Sequence, residues 1–159
     1  MAFDTTERRR APRIAPLSAD VYSTGTAVAK ESSLQGLKAQ ARKPGEASFF
    51  YADHHFQHNA VKVLPGEYFV SDENMIIMTV LGSCIAACLW DSRARIGGMN
   101  HFMLPDGDMA DASGRYGSYA MELLINELMK RGASRQTLEA KVFGGGAVVP
   151  GMSSMNVGE

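Results

Sequence analysis

The chain has 159 residues, of which 45% are hydrophobic, and its formal net charge is -1. These values fit one globular domain with an attached segment, and a near-neutral charge gives no support to nucleic-acid binding. The first residues, MAFDTTERRRAPR, are charged without a following apolar stretch, and the run MIIMTVLGSCIAACLW is too short and too interrupted for a membrane span. We therefore expect a cytoplasmic protein with no integral membrane segment, whose two cysteines, Cys84 and Cys88, are reduced thiols.

Residues 1–48 differ in composition from the rest of the chain. Four of the first thirteen residues are arginine, and the segment mixes Pro, Ser, Thr, Gly and Ala without steady periodicity, with room for one short helix. We predict a disordered or weakly ordered N-terminal arm at 1–48, followed by a domain at 49–159. The arginine cluster also permits the alternative of an arm that docks on an anionic partner.

Several short strands are predicted after the arm. VKVLPGEYFVS predicts two extended pieces around the turn at Pro65–Gly66. MIIMTVL is a continuous apolar run of strand length that ends at Gly82. The apolar stretches IAACLWD and IGGMNHFMLP are separated by a short polar break, which indicates an antiparallel hairpin.

The clearest helix is predicted over residues 113–131. Its apolar side chains recur at helical spacing, Lys130 and Arg131 suit the last turn, and Gly132 is a natural stop. LEAKVF then predicts a strand that ends at three consecutive glycines. The pattern indicates an α/β fold of the α+β kind, a layered sandwich of mainly antiparallel strands with helices.

Cys84 is the candidate nucleophile because of what precedes it. A cysteine attacks as the thiolate, and a free cysteine has a pKa of about 8.5, so catalysis requires a nearby base or a positive field. Gly82 and Ser83 allow a tight turn that leaves the backbone N–H groups of Ser83 and Cys84 free to hold a developing oxyanion. The alternative is a small buried side chain at the start of a strand, which the local sequence alone favours.

His101 is the candidate base, in the otherwise apolar stretch IGGMNHFML. If Asp91 and Ile96 close a four-residue loop, Cys84 pairs with Met103, and His101 lies diagonally from Cys84 on the same face. A two-residue loop puts His101 directly opposite Cys84, whereas a three-residue loop sends it to the other face. Two of the three registers therefore place a base beside the thiol, and a satisfied core histidine remains the alternative.

The remaining candidate residues are interpreted either as groups that orient the base or as structural residues. A general base needs a group that accepts its second ring N–H, and Thr79, Asn100 and Asp91 are candidates for that group. Cys88 is interpreted as a core residue. The histidines of DHHFQH could bind a metal, but a solvated loop is the favoured interpretation, and we predict neither a metal site nor a cofactor.

The order of several motifs resembles the CheD family of chemoreceptor glutamine deamidases. VKVLPGEYFVS, TVLGSC, IGGMNHFMLP, RYGSYAMELLINELMKRGA, LEAKVFGGGAVV and MNVGE follow one another in this order. The resemblance implies a layered α/β fold shared with bacterial toxin deamidases. It also implies hydrolysis of glutamine side chains on methyl-accepting chemotaxis receptors, with ammonia released, and contact with a CheC-type phosphatase.

The resemblance also assigns site residues. The nucleophile of its L-G-S-C motif falls on Cys84 and the histidine of G-G-M-N-H falls on His101. The site threonine of some members would fall on Met78, and we assign Thr79, the next residue, in its place. Gly82, Ser83 and Asn100 are expected to position the reacting groups.

Members of the family continue beyond MNVGE through a further helix and strands, whereas this chain ends at Glu159. We expect the domain to be incomplete at its C-terminus. Uncovered apolar surface and unpaired strand edges would then make the chain poorly stable and inactive. A non-catalytic receptor-binding or adaptor module is the alternative function, and a general thiol amidase or peptidase is a third.

Overall fold

The computed structural model describes residues 32–104 and 114–146. In chain order the elements are α1 (Leu34–Ala39), β1 (Phe49–Asp53), β2 (His58–Lys62), β3 (Tyr68–Ser71), β4 (Ile76–Met78), β5 (Ile85–Asp91), β6 (Ile96–Phe102), α2 (Gly117–Lys130) and β7 (Leu138–Gly144). Neither helix in this part of the chain is long and apolar enough to span a membrane.

The strands form two sheets. The larger has the order β3–β6–β5–β7, with every neighbouring pair antiparallel. The smaller has the order β1–β2–β4, in which β1 and β2 are antiparallel and β2 and β4 are parallel. The predicted layered α/β fold with mainly antiparallel strands is confirmed.

Helix α2 covers one face of the larger sheet. Leu124 and Leu128 are fully buried and pack with Val70 of β3 and Leu89 of β5. The helix begins at Gly117, later than predicted, and residues 105–113 lie outside the described residues. Its apolar stripe explains why this helix is stable on the sheet.

A second core lies between the two sheets. Phe69 of β3 and Met99 of β6 face Phe50 of β1 and Val61 of β2, and Leu37 of α1 joins the same cluster. Successive residues of a strand point to opposite faces. His101 lies two residues after Met99 on β6, so both side chains point toward the smaller sheet. His101 is therefore placed between the layers.

The predicted strands are present with two differences. The two pieces of VKVLPGEYFVS belong to different sheets, because β2 joins the smaller sheet and β3 the larger. Of the apolar run MIIMTVL, only Ile76–Met78 is a strand. The following residues, 79–84, leave the smaller sheet and lead to the start of β5, so they connect the layers rather than extend a strand.

Residues 32–48 are packed into the fold, which corrects part of the predicted arm. Leu37 and Ala47 are buried, and Lys43 pairs with Glu127, a buried carboxylate of α2 that also binds Lys130 at 2.8 Å. Burial raises the pKa of Glu127, but the hydrogen bonds and charges of the two lysines outweigh burial, and the pKa is lowered. The prediction remains open for residues 1–31, which lie outside the described residues.

Asp91 organises the far end of the β5–β6 hairpin. Its carboxylate is buried and accepts hydrogen bonds from the N–H groups of Arg93, Ala94 and Ser134 and from the Thr137 hydroxyl. The hydrogen bond from Thr137, followed by those from the backbone, holds the pKa of Asp91 well below its usual range. The ionised carboxylate thus joins the hairpin loop to the segment before β7.

We expect Asp91→Asn to lower the melting temperature by several degrees, because an amide cannot accept all of these hydrogen bonds. Since the folded-state pKa is depressed, the contribution of Asp91 is present above about pH 4 and is lost as pH falls below it. Thermal unfolding at neutral and acidic pH measures this difference. Asp53→Asn is the matched control, because Asp53 accepts backbone N–H groups in an exposed turn. Equal losses in the two variants would contradict the expectation.

Candidate active site

The register of the β5–β6 hairpin brings Cys84 and His101 to one face. Asp91 pairs with Ile96, which gives the four-residue loop, and Ala86 pairs with His101. Cys84 lies one residue before the last pair of the ladder, Ile85 with Phe102, and two residues before Ala86, so strand alternation puts it on the face of Ala86 and His101. The four-residue loop is that of the first predicted register, and the approach of the Cys84 sulfur to His101 stays a prediction.

His101 is buried and has one ring nitrogen fixed. The side chain is 2% exposed, and its Nδ1 lies 2.8 Å from Thr79 Oγ1. The Thr79 hydroxyl donates its hydrogen to the Val63 carbonyl at 2.7 Å. A hydroxyl has one hydrogen, so Thr79 can only accept from His101 Nδ1–H. This assigns the proton to Nδ1 and leaves a lone pair on Nε2.

Nε2 of His101 is available for proton transfer. It is buried and makes no hydrogen bond with any residue in the described part of the chain, the Cys84 sulfur included. Burial lowers the pKa of His101, outweighing the Val63 carbonyl and the Glu67 carboxylate, which both favour the imidazolium. The imidazole is therefore neutral at pH 7, the form that can accept a proton from a thiol.

The loop before β5 presents Cys84 and its backbone. Cys84 and Ser83 are half-buried and Gly82 is exposed. Within residues 32–104 and 114–146, the N–H groups of Ser83 and Cys84 have no hydrogen-bond acceptor. These two donors are consistent with the expected oxyanion site, and the role stays a prediction.

The structure does not bring Asn100 to this site. Asn100 neighbours His101 on β6, so its side chain points to the opposite face, under α2. It is fully buried, its Oδ1 accepts from Ala87 N–H at 3.0 Å, and its Nδ2 contacts Met121 Sδ at 3.4 Å. Asp91, the other candidate partner of His101, lies at the opposite end of β5. Thr79 is thus the residue that contacts the imidazole.

Cys88 lies within β5, whereas Cys84 lies in the loop just before that strand. It is half-buried in mid-strand, between Met99 of β6 and Lys141 of β7. Burial raises the pKa of the Cys88 thiol, against the opposing effect of Lys141. A thiol held protonated is a poor nucleophile, which agrees with the interpretation of Cys88 as structural.

The histidine-rich stretch DHHFQH runs from the end of β1 through the turn at 54–57 to the start of β2. His54 and His55 are exposed there, as expected for a solvated loop. Among the residues that the structure describes, no group of three His, Cys, Asp or Glu side chains is arranged to hold a metal ion.

Strand β7 contacts the loop that carries Cys84, and the sequence did not predict this contact. Gly144 pairs with Ile85, and Gly145 N–H donates to the Cys84 carbonyl at 3.2 Å. The signal was three consecutive glycines at the end of a predicted strand, which we interpreted only as the strand's end. Repeated glycine at such a place also permits close backbone approach.

Thr79→Val is expected to lower catalytic turnover by about 10- to 100-fold, because the imidazole loses the group that fixes its tautomer. Valine has nearly the same shape but cannot accept from Nδ1–H. The measurement is kcat for the glutamine deamidation that the family resemblance implies, with Thr79→Ser as the control that keeps the hydroxyl. Equal turnover in the valine and serine variants would contradict this role.

A cysteine that shares a sheet face with a buried, neutral histidine is an arrangement typical of thiol-dependent hydrolases. The fold is layered α/β, and the candidate site is consistent with that class. Comparison with known proteins then shows which sequences this chain resembles. Residues 103–159 match the family model described as CheD chemotactic sensory transduction.

Curated relatives extend the match toward the N-terminus. The chain is 73% identical over 128 residues to the "Probable chemoreceptor glutamine deamidase CheD 1" of Albidiferax ferrireducens, covering 80% of this chain and 55% of that protein. It is 60% identical over 122 residues to the "Probable chemoreceptor glutamine deamidase CheD" of Bordetella avium, covering 74% and 54%. The corresponding protein of Paraburkholderia xenovorans is 58% identical over 118 residues, covering 71% and 47%. The chain is similar to these curated CheD proteins, and it spans about half the length of the relatives that it matches.

Proposed function

We propose that the chain carries the catalytic site of a protein-glutamine deamidase (a protein-glutamine glutaminase) that converts receptor glutamine side chains to glutamate. The observation that carries the proposal is His101, whose Nδ1 is held by Thr79 and whose buried Nε2 is free on the face it shares with Cys84. The relatives named chemoreceptor glutamine deamidases support the choice of substrate.

The first half of the reaction releases ammonia. His101 Nε2 takes the thiol proton, and the Cys84 thiolate attacks the side-chain amide carbon of glutamine. The carbonyl oxygen becomes an oxyanion, and we assign its stabilisation to the N–H groups of Ser83 and Cys84. The carbon–nitrogen bond then breaks as His101 returns the proton to the leaving nitrogen. The products are ammonia and a thioester on Cys84.

The second half restores the enzyme. Water replaces ammonia in the site, and His101 removes a proton from it as it attacks the thioester carbon. The carbon–sulfur bond breaks, Cys84 recovers its proton through His101, and the side chain leaves as glutamate. No oxidant, reductant or metal is needed for this sequence of steps.

The proposed substrates are the cytoplasmic domains of methyl-accepting chemotaxis receptors, and the protein would meet them in the cytoplasm. The names of the relatives specify chemoreceptors. A CheC-type phosphatase is a further proposed partner, taken from the family resemblance alone.

The test is ammonia release, with intact-mass analysis, when the folded chain is mixed with a receptor cytoplasmic fragment. Each deamidated glutamine adds about one dalton, because an amide NH₂ is replaced by OH. A cooperative thermal transition is first established for the chain. We expect the mass gain with the wild-type chain and its loss in Cys84→Ala.

Cys88→Ala is the matched control, because it removes the other cysteine thiol, four residues further along the chain in β5. Turnover retained in Cys88→Ala and lost in Cys84→Ala supports the proposed mechanism. A folded chain that binds the receptor fragment but releases no ammonia would overturn the enzymatic proposal and favour the adaptor function. Cleavage of the fragment's backbone would favour a peptidase instead.

A further inference from the structure

Cys84 is held differently by its two neighbouring strands. On the β6 side the ladder ends at the pair Ile85–Phe102, and the next amide, Met103 N–H, donates to the Arg115 carbonyl instead. On the β7 side, Gly145 N–H donates to the Cys84 carbonyl at 3.2 Å. The backbone of Cys84 is thus anchored from the end of β7, not from the strand that carries His101.

Glycine at position 144 makes this approach possible. A Cβ built there would lie 2.1 Å from the Cys84 carbonyl oxygen and 3.1 Å from its carbon, closer than real Cβ atoms come. The atoms in the way are backbone, so no side-chain rotation relieves the clash. Gly144 also has a φ of +100°, a conformation that side chains with a Cβ disfavour. Any larger residue would therefore displace the Cys84 peptide or strand β7.

We propose that Gly144 and Gly145 are positioning residues for Cys84. Their backbone fixes the Cys84 carbonyl, and this sets the direction in which the Cys84 side chain leaves the main chain. That direction decides whether the sulfur can reach His101 Nε2, which lies diagonally across the sheet. Misplacement of a reacting atom by about 1 Å costs about 100-fold in rate.

The test compares Gly144→Ala with Gly132→Ala. Gly132 has nearly the same backbone strain, with a φ of +102°, but a Cβ there meets nothing within 4 Å. The control therefore reproduces the cost of the left-handed conformation without the clash at Cys84. The thiol is probed directly with iodoacetamide at fixed pH, and peptide mapping by tandem mass spectrometry separates Cys84 from Cys88.

We expect Cys84 alkylation to slow by about tenfold or more in Gly144→Ala and to stay at the wild-type rate in Gly132→Ala. With a receptor fragment, kcat should fall by about 100-fold in Gly144→Ala while KM changes by less than about twofold, because the substitution acts on the position of Cys84 and not on a group that binds substrate in the ground state. A Gly144→Ala chain that is folded and has wild-type alkylation and kcat would overturn the proposal.

A second measurement uses only the wild-type chain, so its result does not depend on whether a variant folds. Site-resolved hydrogen exchange on the wild-type chain should show the Gly145 amide exchanging about tenfold or more below its intrinsic rate. Exchange at the intrinsic rate would remove the hydrogen bond on which the inference depends. The relevance to turnover rests on the proposed deamidase function, but alkylation and exchange use no glutamine substrate. Failure of deamidation alone would therefore overturn the function and leave the positioning of Cys84 intact.

Discussion

Replacing His101 with glutamine is expected to lower kcat for the proposed glutamine deamidation by about 1,000-fold, within the range that general acid–base catalysis contributes. Glutamine keeps a polar side chain near Thr79 but cannot accept a thiol proton and return it to ammonia. Steady-state ammonia release from a receptor fragment measures the effect. Because His101 is buried, thermal unfolding of the variant is measured beside it to separate lost chemistry from lost structure.

The control for this substitution is His58→Gln, which changes a half-buried histidine at the start of β2, away from Cys84. It should keep wild-type kcat. A folded His101→Gln chain with kcat within about tenfold of wild type would remove His101 from the role of base.

The pH dependence of kcat/KM tests the protonation state of His101 without a substitution. Burial lowers the pKa of His101 below its ordinary value of 6.5, so the neutral base persists at pH 6.5 and is lost only as pH falls further. The acidic limb of kcat/KM should therefore lie below pH 6.5. The depressed pKa also means that His101 stabilises the fold at neutral pH and that this contribution is lost as pH falls through the folded-state value. An acidic limb above pH 6.5 would contradict the neutral, buried imidazole.

Leu124→Ala is expected to lower the free energy of unfolding by about 2–5 kcal/mol, the range for a leucine truncated in a packed core. Leu124 is fully buried where α2 covers the larger sheet. Since whole domains are stable by only about 5–15 kcal/mol, this loss should be visible as a large shift of the urea midpoint. The cause is the lost transfer free energy together with the cavity left between helix and sheet.

Met129→Ala is the matched control on the same helix. Met129 is 40% exposed, so its truncation should cost less than about 1 kcal/mol. Similar losses for the two variants would mean that α2 is not packed on the sheet as the structure has it.

Local sequence determined much of the architecture. The apolar stretches on either side of residues 92–95 predict the β5–β6 hairpin, because two-residue alternation and a polar loop are encoded within a few residues of each other. The spacing of Leu124 and Leu128 predicts α2 for the same reason. The order Gly82–Ser83–Cys84 makes Cys84 a candidate nucleophile, but the sequence is also compatible with a core residue at this position.

The register of the β5–β6 hairpin decides whether His101 lies on the same face of the sheet as Cys84. Three loop lengths were compatible with the sequence, and one of them would have put His101 on the wrong face. The pairing of Asp91 with Ile96 selects the four-residue loop. A shift of one residue reverses every side chain of a strand, so this detail could not be read from composition.

The tertiary structure alone decided the contacts between distant segments. The sequence offered Thr79, Asn100 and Asp91 as partners of His101, and the packing of the two sheets puts only Thr79 against the imidazole. The boundary proposed at residue 48 was misplaced because polar, aperiodic sequence can still contribute single buried residues such as Leu37. The contact of Gly145 with Cys84 joins strands that are far apart in the chain. Such contacts depend on how separate elements pack, and a local pattern carries no information about which distant backbone will lie beside it.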